Sequence, residues 1–415
     1  MELEMRYGNE TIVSGVKDGL QRLGYLFYAI DPKDSTFLDV KDVPNYVDLA
    51  IPVFVTGMII ELSYKMLRVM RKRTPHEVNH ADTVTSLYAG LLQEVFRAAT
   101  RGFTTTVYIW LYNNYRLVDL PIDSMFTWLL GALSLDFFYY WFHRANHEIN
   151  VLWAAHQVHH SSEEYNLSTA LRQSITQNIP IILVYFPMAA YLPPTHFVVH
   201  YQLNLLYQFW IHTEEVTSIG FLEHVLMTPS HHRVHHGANR YCIDKNYGAC
   251  LIIWDKAFGT FAAENDRVVY GLTHPVASYN PWTVQGGHYA HIWNKIKAMP
   301  TLMDKVWAVL KGPGWHPGTA RLGDPNELPD HKFPMKKYRR PLSALTALYL
   351  IFQTAATTVN LQHYYYSLKS NITNGEQQDC PSTCGCSWTG FPPWSPLNDC
   401  GVNGFHARTL CWWPI

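Results

Sequence analysis

Three short groups of histidines constrain this chain more than any other feature of its sequence. They are His143–His147 (HRANH), His156–His160 (HQVHH) and His232–His236 (HRVHH). Positions three and four apart share one face of an α-helix, with β-carbons about 5–6 Å apart. Each group, called a histidine box below, can therefore direct two or three imidazoles at one point if it is helical.

The number of box histidines predicts two metal ions. Neutral imidazole nitrogen suits iron, zinc or copper, and a single zinc site closes at about three or four protein ligands. Eight converging histidines exceed that number, and open positions for oxygen favour a pair of Fe2+ ions. The predicted metal ligands are His143, His147, His156, His159, His160, His232, His235 and His236.

Two further residues near the boxes are candidates for the same site. His212 ends an aromatic run (QFWIH) and is a candidate ninth ligand. Glu148 follows His147 directly and can act as a catalytic residue, by orienting a ligand imidazole or binding metal; the alternative is an exposed helix charge. His196 and His200 also have helical spacing, but they follow Pro193 inside an apolar segment, so we predict a structural role for them.

The composition indicates contact with lipid and gives no support for a nucleic-acid partner. Charged residues make up 16% of the 415 residues, where a soluble protein carries roughly 25%, and aromatic residues make up 14%. The formal net charge is -1, so the chain lacks the excess of positive charge that nucleic-acid binding requires.

Several apolar segments predict an all-α, polytopic integral membrane bundle with a cytoplasmic, histidine-rich cap. The first, Val47–Met70, has about the 20 residues that a membrane-spanning helix needs, although Glu61 and Lys65 leave a buried soluble helix as the alternative. Prolines break the fourth and fifth segments, which predict a membrane hairpin near residues 179–211. The remaining segments are Phe103–Leu120, Met125–Phe142 and Leu342–Tyr366, with the hairpin formed by Ile179–Leu192 and Phe197–Ile211.

Basic residues beside these segments predict their orientation, since Lys and Arg concentrate on the cytoplasmic side. The predicted order is a lumenal segment at 1–46, transmembrane helices at 47–142, the histidine-box catalytic region at 143–330, a basic segment with the last transmembrane helix at 331–366, and a lumenal tail at 367–415. The tail holds five of the seven cysteines, which suits an oxidising lumen; a metal knuckle or an unstructured tail are the alternatives.

The boxes between hydrophobic segments resemble the fatty acid hydroxylase and sterol desaturase superfamily of diiron membrane oxygenases. Within it, longer stretches from about Val43 to Gly323 resemble the alkylglycerol monooxygenases. Those stretches are Gln208–Glu214 (QFWIHTE), His232–Gly237 (HRVHHG), Cys242–Tyr247 (CIDKNY), Leu251–Lys256 (LIIWDK), Phe258–Phe261 (FGTF) and Val269–Pro275 (VYGLTHP).

The resemblance implies a tetrahydrobiopterin-dependent enzyme of the endoplasmic reticulum membrane that cleaves ether lipids with O2 and a diiron centre. In the family the eight box histidines bind the metals, and the acidic residue after the first box corresponds to Glu148. Membrane lipids, an alkylglycerol substrate and O2 are the expected partners. The alternatives are a fatty acyl or sterol hydroxylase of the same superfamily and a non-catalytic zinc-binding membrane protein.

Overall fold

The chain folds into helices, as the sequence predicts. A computed structural model describes residues 2–71, 79–177, 184–343, 345–357 and 359–360. These residues contain no β-strand, only two isolated antiparallel bridges, Leu226 with Leu251 and Gly237 with Tyr270. Met1–Phe352 forms one compact unit and Gln353–Ile415 a second; the predicted tail at 367–415 lies outside the described residues. The all-α class is confirmed for the described part of the chain.

Ten α-helices within the described part of the first unit are numbered here in chain order. They are α1 (Glu2–Tyr25), α2 (Tyr46–Met70), α3 (His80–Tyr115), α4 (Met125–Glu148), α5 (Asn150–His160), α6 (Pro194–Trp210), α7 (Pro229–His235), α8 (Ile253–Phe258), α9 (Pro281–Ala298) and α10 (Leu302–Leu310). Short 3-10 turns lie at Pro32–Ser35, Val40–Asp42, Leu167–Leu171, Phe186–Ala190, Gly220–His224, Arg240–Cys242 and Pro325–Glu327.

The predicted membrane segments map onto these helices unevenly. Only Val40–Met70, which includes α2, is long and apolar enough to cross a membrane among the helices of the described residues. The apolar helix Leu345–Thr357 is shorter, and the predicted hairpin includes residues 178–183, which are outside the described residues. Its prolines act as predicted, because Pro187 lies in a 3-10 turn and Pro194 begins α6.

Helices α4 and α6 pack against each other around a buried carboxylate. Asp136 on α4 accepts hydrogen bonds from the side-chain amide of Asn204 on α6, from Cys250 and Leu251 N–H, and from the indole of Trp254. A buried carboxylate is stable when its oxygens are satisfied in this way. Asp136 thereby joins two long helices to the segment that begins α8.

A glycine on α4 lets the same two helices approach closely. A β-carbon at Gly131 would come within 2.6 Å of the His200 ring on α6. The His200 Nδ1 lies 3.1 Å from the Tyr28 hydroxyl, and Nε2 of His196 lies 2.8 Å from the carbonyl oxygen of Ile122. Both histidines thus serve helix packing, in agreement with the structural role predicted for them.

Candidate metal centre

The three boxes lie at the ends of three helices that meet in the interior. His143 and His147 stand one turn apart at the end of α4. After the extended residue Ile149 the chain reverses into α5, whose last turn carries the second box. The third box lies on the short helix α7 and on His236, the residue that caps its C-terminus. All eight box histidines are buried, and each box lies on a helix, as its spacing predicts.

The histidines divide into two clusters. The ligand nitrogens of each cluster lie within 4.8 Å of one another. The first cluster consists of His143, His147, His156, His160 and His235, and the second consists of His159, His212, His232 and His236. The predicted ninth ligand, His212, is therefore brought together with three box histidines.

Each HxxHH box supplies both clusters. His156 and His160, four residues apart, enter the first cluster, whereas the intervening His159 enters the second. The third box does the reverse: its outer pair enters the second cluster, and His235 enters the first. In an α-helix the middle histidine points away from the outer pair, because its position is rotated by about 60–100°. Two facing HxxHH helices can therefore surround two ions between them.

The close nitrogen contacts match the spacing of ligands around a transition metal. Nε2 of His143 lies 2.9 Å from Nε2 of His156, which lies 3.1 Å from Nε2 of His160. In the second cluster Nε2 of His212 lies 3.1 Å from that of His159 and 3.0 Å from that of His232. Metal–imidazole bonds of about 2.0–2.1 Å place neighbouring ligand nitrogens about 2.9–3.4 Å apart.

Several ring nitrogens in the clusters have no hydrogen-bond partner. They include Nε2 of His147 and of His235 in the first cluster and Nε2 of His236 in the second. A buried polar atom without a partner is costly, and a metal ion would satisfy each of these. Across the clusters the rings of His160 and His236 stack with centroids 4.4 Å apart, so two ions would be close neighbours.

Backbone carbonyls fix the orientation of four cluster imidazoles. A ligand histidine usually donates its second ring N–H to such an acceptor, which leaves the other nitrogen free for metal. In each of the four, Nδ1 lies against a carbonyl oxygen. The pairs are His143 with Tyr247 at 2.8 Å, His235 with Lys245 at 2.9 Å, His159 with Arg172 at 3.2 Å and His212 with Gln208 at 2.6 Å.

A strained turn supplies two of those carbonyls. Asp244 and Asn246 both have positive φ, 58° and 56°, a conformation that costs most non-glycine residues about 1–2 kcal/mol and that Asp and Asn adopt more readily than the others. The residues with positive φ lie on either side of Lys245, and in this turn the carbonyls of Lys245 and Tyr247 face His235 and His143 of the first cluster. Side-chain bonds hold the turn: Asn246 donates to the carbonyls of His231 and Ala262 and accepts from Ala262 N–H.

Burial keeps the cluster imidazoles in the form that binds metal. It lowers the pKa of His159 to about 4. Burial also lowers the pKa of the other cluster histidines for which a shift is resolved, well below the usual value. These are His143, His156, His160, His212, His232, His235 and His236. Neutral imidazole has the lone pair that coordination requires.

Comparison with known proteins shows which family the chain resembles. Residues 128–260 match the family model described as fatty acid hydroxylase, and all nine cluster histidines fall within that range. The chain is 48% identical over 330 residues to alkylglycerol monooxygenase of Homo sapiens, covering 80% of this chain and 73% of the relative. For the enzymes of the same name from Xenopus tropicalis and Danio rerio, identity is 49% and 46%, with 77% and 79% of this chain and 70% and 73% of the relative covered.

The chain belongs to the alkylglycerol monooxygenase family. The resemblance predicted from the sequence is thereby confirmed. No solved structure matches the chain.

Glu148 of this family member lies outside both clusters. Its carboxylate accepts from Arg144 at 2.7 Å and from Arg321 at 3.1 Å. The pairing joins the end of α4, one residue after His147 of the first cluster, to the segment after α10. Its assignment as a catalytic residue remains a prediction.

The sequence did not single out the residues that support the ligands, since backbone carbonyls carry no residue-type signal. The stretches CIDKNY and LIIWDK, which suggested the family, contain the strained turn and its neighbour Asp255. Asp255 accepts from the backbone N–H of Tyr247 and of Gly248. Asp255 thus holds this loop, and the neighbouring Trp254 donates from its indole N–H to Asp136.

An open cleft lies beside the second cluster in this family member. Its volume is about 290 Å³, and its lining consists of Glu214, Thr217, Arg233, Glu264, Arg267, Val268 and Tyr270. The ring of Tyr270 stacks on Tyr165 at 4.9 Å, and Tyr165 stacks on His212 at 5.7 Å. The cleft is therefore connected to a cluster imidazole through two stacked tyrosines.

Proposed function

We propose that this chain cleaves the ether bond of alkylglycerols, using O2 and a diiron centre held by the nine cluster histidines. One observation carries the proposal: a member of the alkylglycerol monooxygenase family has two adjacent, buried, all-imidazole clusters with unpartnered nitrogens. When bound, an iron pair would supply the oxygen activation that hydroxylation of an unactivated C–H bond requires.

The proposed reaction balances with one reduced pterin. One atom of O2 is inserted into a C–H bond of the alkyl carbon next to the ether oxygen, and the other leaves as water. Tetrahydrobiopterin supplies the two electrons and two protons, and it becomes the dihydro form. The resulting hemiacetal breaks its C–O bond to give a fatty aldehyde and free glycerol.

The protein contributes fixed ligands and a dry environment. The carbonyl acceptors at Tyr247, Lys245, Arg172 and Gln208 hold imidazoles in one orientation, which lowers the cost of arranging them around metal. Because all nine histidines are buried, water is kept from the reacting centre.

Tetrahydrobiopterin is proposed to reach the second cluster from the cleft beside Tyr270. The Glu214 carboxylate already accepts from the Tyr270 hydroxyl at 3.2 Å, and it has further acceptor capacity for the N–H groups of a pterin. We expect Glu214→Gln to raise the pterin concentration needed for half-maximal rate while iron content stays unchanged. An unchanged pterin dependence would place the pterin elsewhere.

The proposed location is the endoplasmic reticulum membrane, with several spans and a cytoplasmic cap. Apolar side chains point outward on α4 as well as on α2: Phe126, Leu129 and Leu133 are exposed, as are Ile59 and Ile60. The polar residues of α4, Asp136 among them, point inward. A helix with apolar side chains outside and polar ones inside suits lipid surroundings, which supports the multi-pass arrangement.

Fatty aldehyde release is the decisive test. Membranes containing the chain would be supplied with an alkylglycerol, with and without tetrahydrobiopterin, beside a His159→Ala variant and an exposed His224→Ala control. We expect pterin-dependent aldehyde from the original chain and from His224→Ala, and none from His159→Ala. No aldehyde from well-expressed, iron-loaded protein would reject the substrate and direct the assay to acyl and sterol substrates.

Metal content separates the oxygenase from a zinc-binding protein. Purified chain should bind two irons, and His143→Ala and His232→Ala should each lose one of them, because they remove ligands from different clusters. Zinc as the only bound metal, with no oxidised product, would favour the non-catalytic alternative.

A further inference from the structure

Helices α9 and α10 form a hairpin, residues 281–310, that packs directly on the metal-binding helix α5. Polar contacts fasten it there. Asn150, which begins α5, donates through its backbone N–H to the Lys311 carbonyl at 2.8 Å and through its side chain to the Ala308 carbonyl at 2.7 Å. Gln157, between the ligands His156 and His159, donates to the Val284 carbonyl at 3.0 Å.

The opposite side of the hairpin is apolar and exposed. Leu302 is 80% exposed, Trp282 73% and Met303 58%. In α10, positions 302, 303, 306 and 310 fall on one face of the helix, and each bears an exposed apolar side chain. A helix of a soluble protein turns such a stripe toward the core; here it points away. We call Trp282, Trp293, Leu302, Met303, Val306 and Leu310 the outer face.

Basic residues border the outer face. Residues 281–311 contain Lys295, Lys297, Lys305 and Lys311 but a single acidic residue, Asp304, which caps the helix with Thr301. The ammonium of Lys297 lies 5.1 Å from the Trp293 ring centre, and that of Lys311 lies 4.9 Å from that of Trp307. Lysines beside tryptophans at the edge of an apolar stripe are typical of helices that lie in a membrane surface.

We infer that the α9–α10 hairpin lies in the membrane surface, with its outer face among lipid acyl chains and with Lys297 and Lys305 at anionic headgroups. The positive charge and the tryptophans favour a lipid surface over a protein partner. An independent feature agrees, since α2 of the same unit is long and apolar enough to cross a membrane.

The placement has a consequence for the metal centre. The contacts of Asn150 and Gln157 hold α5, and with it His156, His159 and His160, directly beneath the hairpin. A lipid substrate can then keep its alkyl chain in the bilayer region while the ether group approaches the clusters. The position of the hairpin in the membrane does not depend on which lipid is oxidised. Its test therefore does not rely on the oxygenase assignment.

Spin-label accessibility tests the inference on the full chain in lipid nanodiscs of phosphatidylcholine and phosphatidylserine. Cys242 and Cys250 are buried, and the five tail cysteines would be replaced by serine. A label is then placed singly at positions 302, 303, 306 and 310, with the exposed Lys332 as the water-facing control. Collisions with O2 report lipid, and collisions with a water-soluble nickel chelate report solvent.

We expect the ratio of oxygen to nickel accessibility to be several-fold higher at the four outer-face positions than at position 332. Lys297→Glu with Lys305→Glu should lower that ratio in anionic discs more than in pure phosphatidylcholine, because only the anionic headgroups attract the lysines. Nickel accessibility equal to that of position 332 would overturn the inference. Low accessibility to both reagents would also overturn it, since it would indicate a protein contact.

Discussion

Asp255 accepts the backbone N–H of Tyr247 at 2.7 Å, and the carbonyl of that tyrosine lies 2.8 Å from Nδ1 of His143. The second carboxylate oxygen accepts from Gly248 N–H at 2.8 Å. A buried carboxylate on α8 therefore fixes the peptide that orients an imidazole of the first cluster. Three residues, none of them near His143 in sequence, determine where its Nε2 points.

Asp255→Asn should weaken metal binding at the first cluster. The amide NH2 of asparagine would face one of the two backbone N–H groups that the carboxylate now accepts, so the Tyr247 carbonyl would shift. Loss of a group that orients a ligand typically costs about 10–100-fold in metal affinity. Competition with a chelator would measure the affinity of each site, and the second site should be unchanged. The exposed Asp266→Asn serves as the control; equal affinities in both variants would contradict the prediction.

Asn246 should tolerate glycine better than alanine. Its φ of 56° suits glycine, whereas alanine keeps the backbone strain and loses the same three side-chain hydrogen bonds. We expect Asn246→Ala to be less stable than Asn246→Gly by about 1 kcal/mol, with both less stable than the original chain. Thermal unfolding of detergent-purified protein would give the order. If alanine and glycine were equivalent, the turn would not be strained as described.

The helical class and most of the clustered histidines could be predicted, because the spacing of residues along the sequence carries both. Spacings of three and four residues placed the boxes on helices, and the low charge content indicated lipid contact. The spacing alone did not indicate whether the histidines of one box belong to one cluster or to two. The division of His156 and His160 from His159 depends on how α5 faces α7, which is a matter of tertiary packing.

The supporting residues could not be predicted, because their contribution comes from the backbone. A carbonyl acceptor such as that of Lys245 is available at every position of the chain. What distinguishes this turn is the positive φ of Asp244 and Asn246, which accompanies the orientation of its carbonyls toward the first cluster. For Glu148 the sequence position was informative but the contacts were not predicted. Its place beside His147 suggested a role at the site, whereas in the structure its carboxylate pairs with Arg144 and Arg321.

Asp82 and Arg172 should behave as a buried ion pair. Their side chains are each 2% exposed and 2.8 Å apart, and the Arg172 carbonyl faces His159. Asp82→Asn would leave a buried guanidinium without its counter-charge, at a cost of about 3–5 kcal/mol. Replacing both residues, with Asp82→Leu and Arg172→Met, should recover much of the stability. Thermal unfolding of the single and double variants measures this, and a double variant no more stable than Asp82→Asn would contradict it.

Glu61 on α2 should matter for the second cluster although it is far from the boxes in sequence. One oxygen accepts from the Thr213 hydroxyl at 2.6 Å and the other from Leu167 N–H at 2.9 Å. Thr213 directly follows His212 of the second cluster, so this contact attaches the predicted membrane helix to that cluster. The nearby Lys65 lies 3.5 Å from the same carboxylate.

Removing that carboxylate should therefore cost both stability and metal. Glu61→Ala leaves a buried hydroxyl and a backbone N–H without acceptors, at about 1–3 kcal/mol for each, and frees the segment that carries His212. Glu61→Gln should be milder, since its amide can donate to Thr213 and accept from Leu167.

Arg68→Ala is the matched control on the same helix: its pair with Glu215 is partly exposed, and such pairs contribute about 0–1 kcal/mol. Iron per chain and thermal unfolding would be measured for all three. Glu61→Ala should lose iron from the second cluster, and iron content equal to that of Arg68→Ala would show that α2 does not support the site.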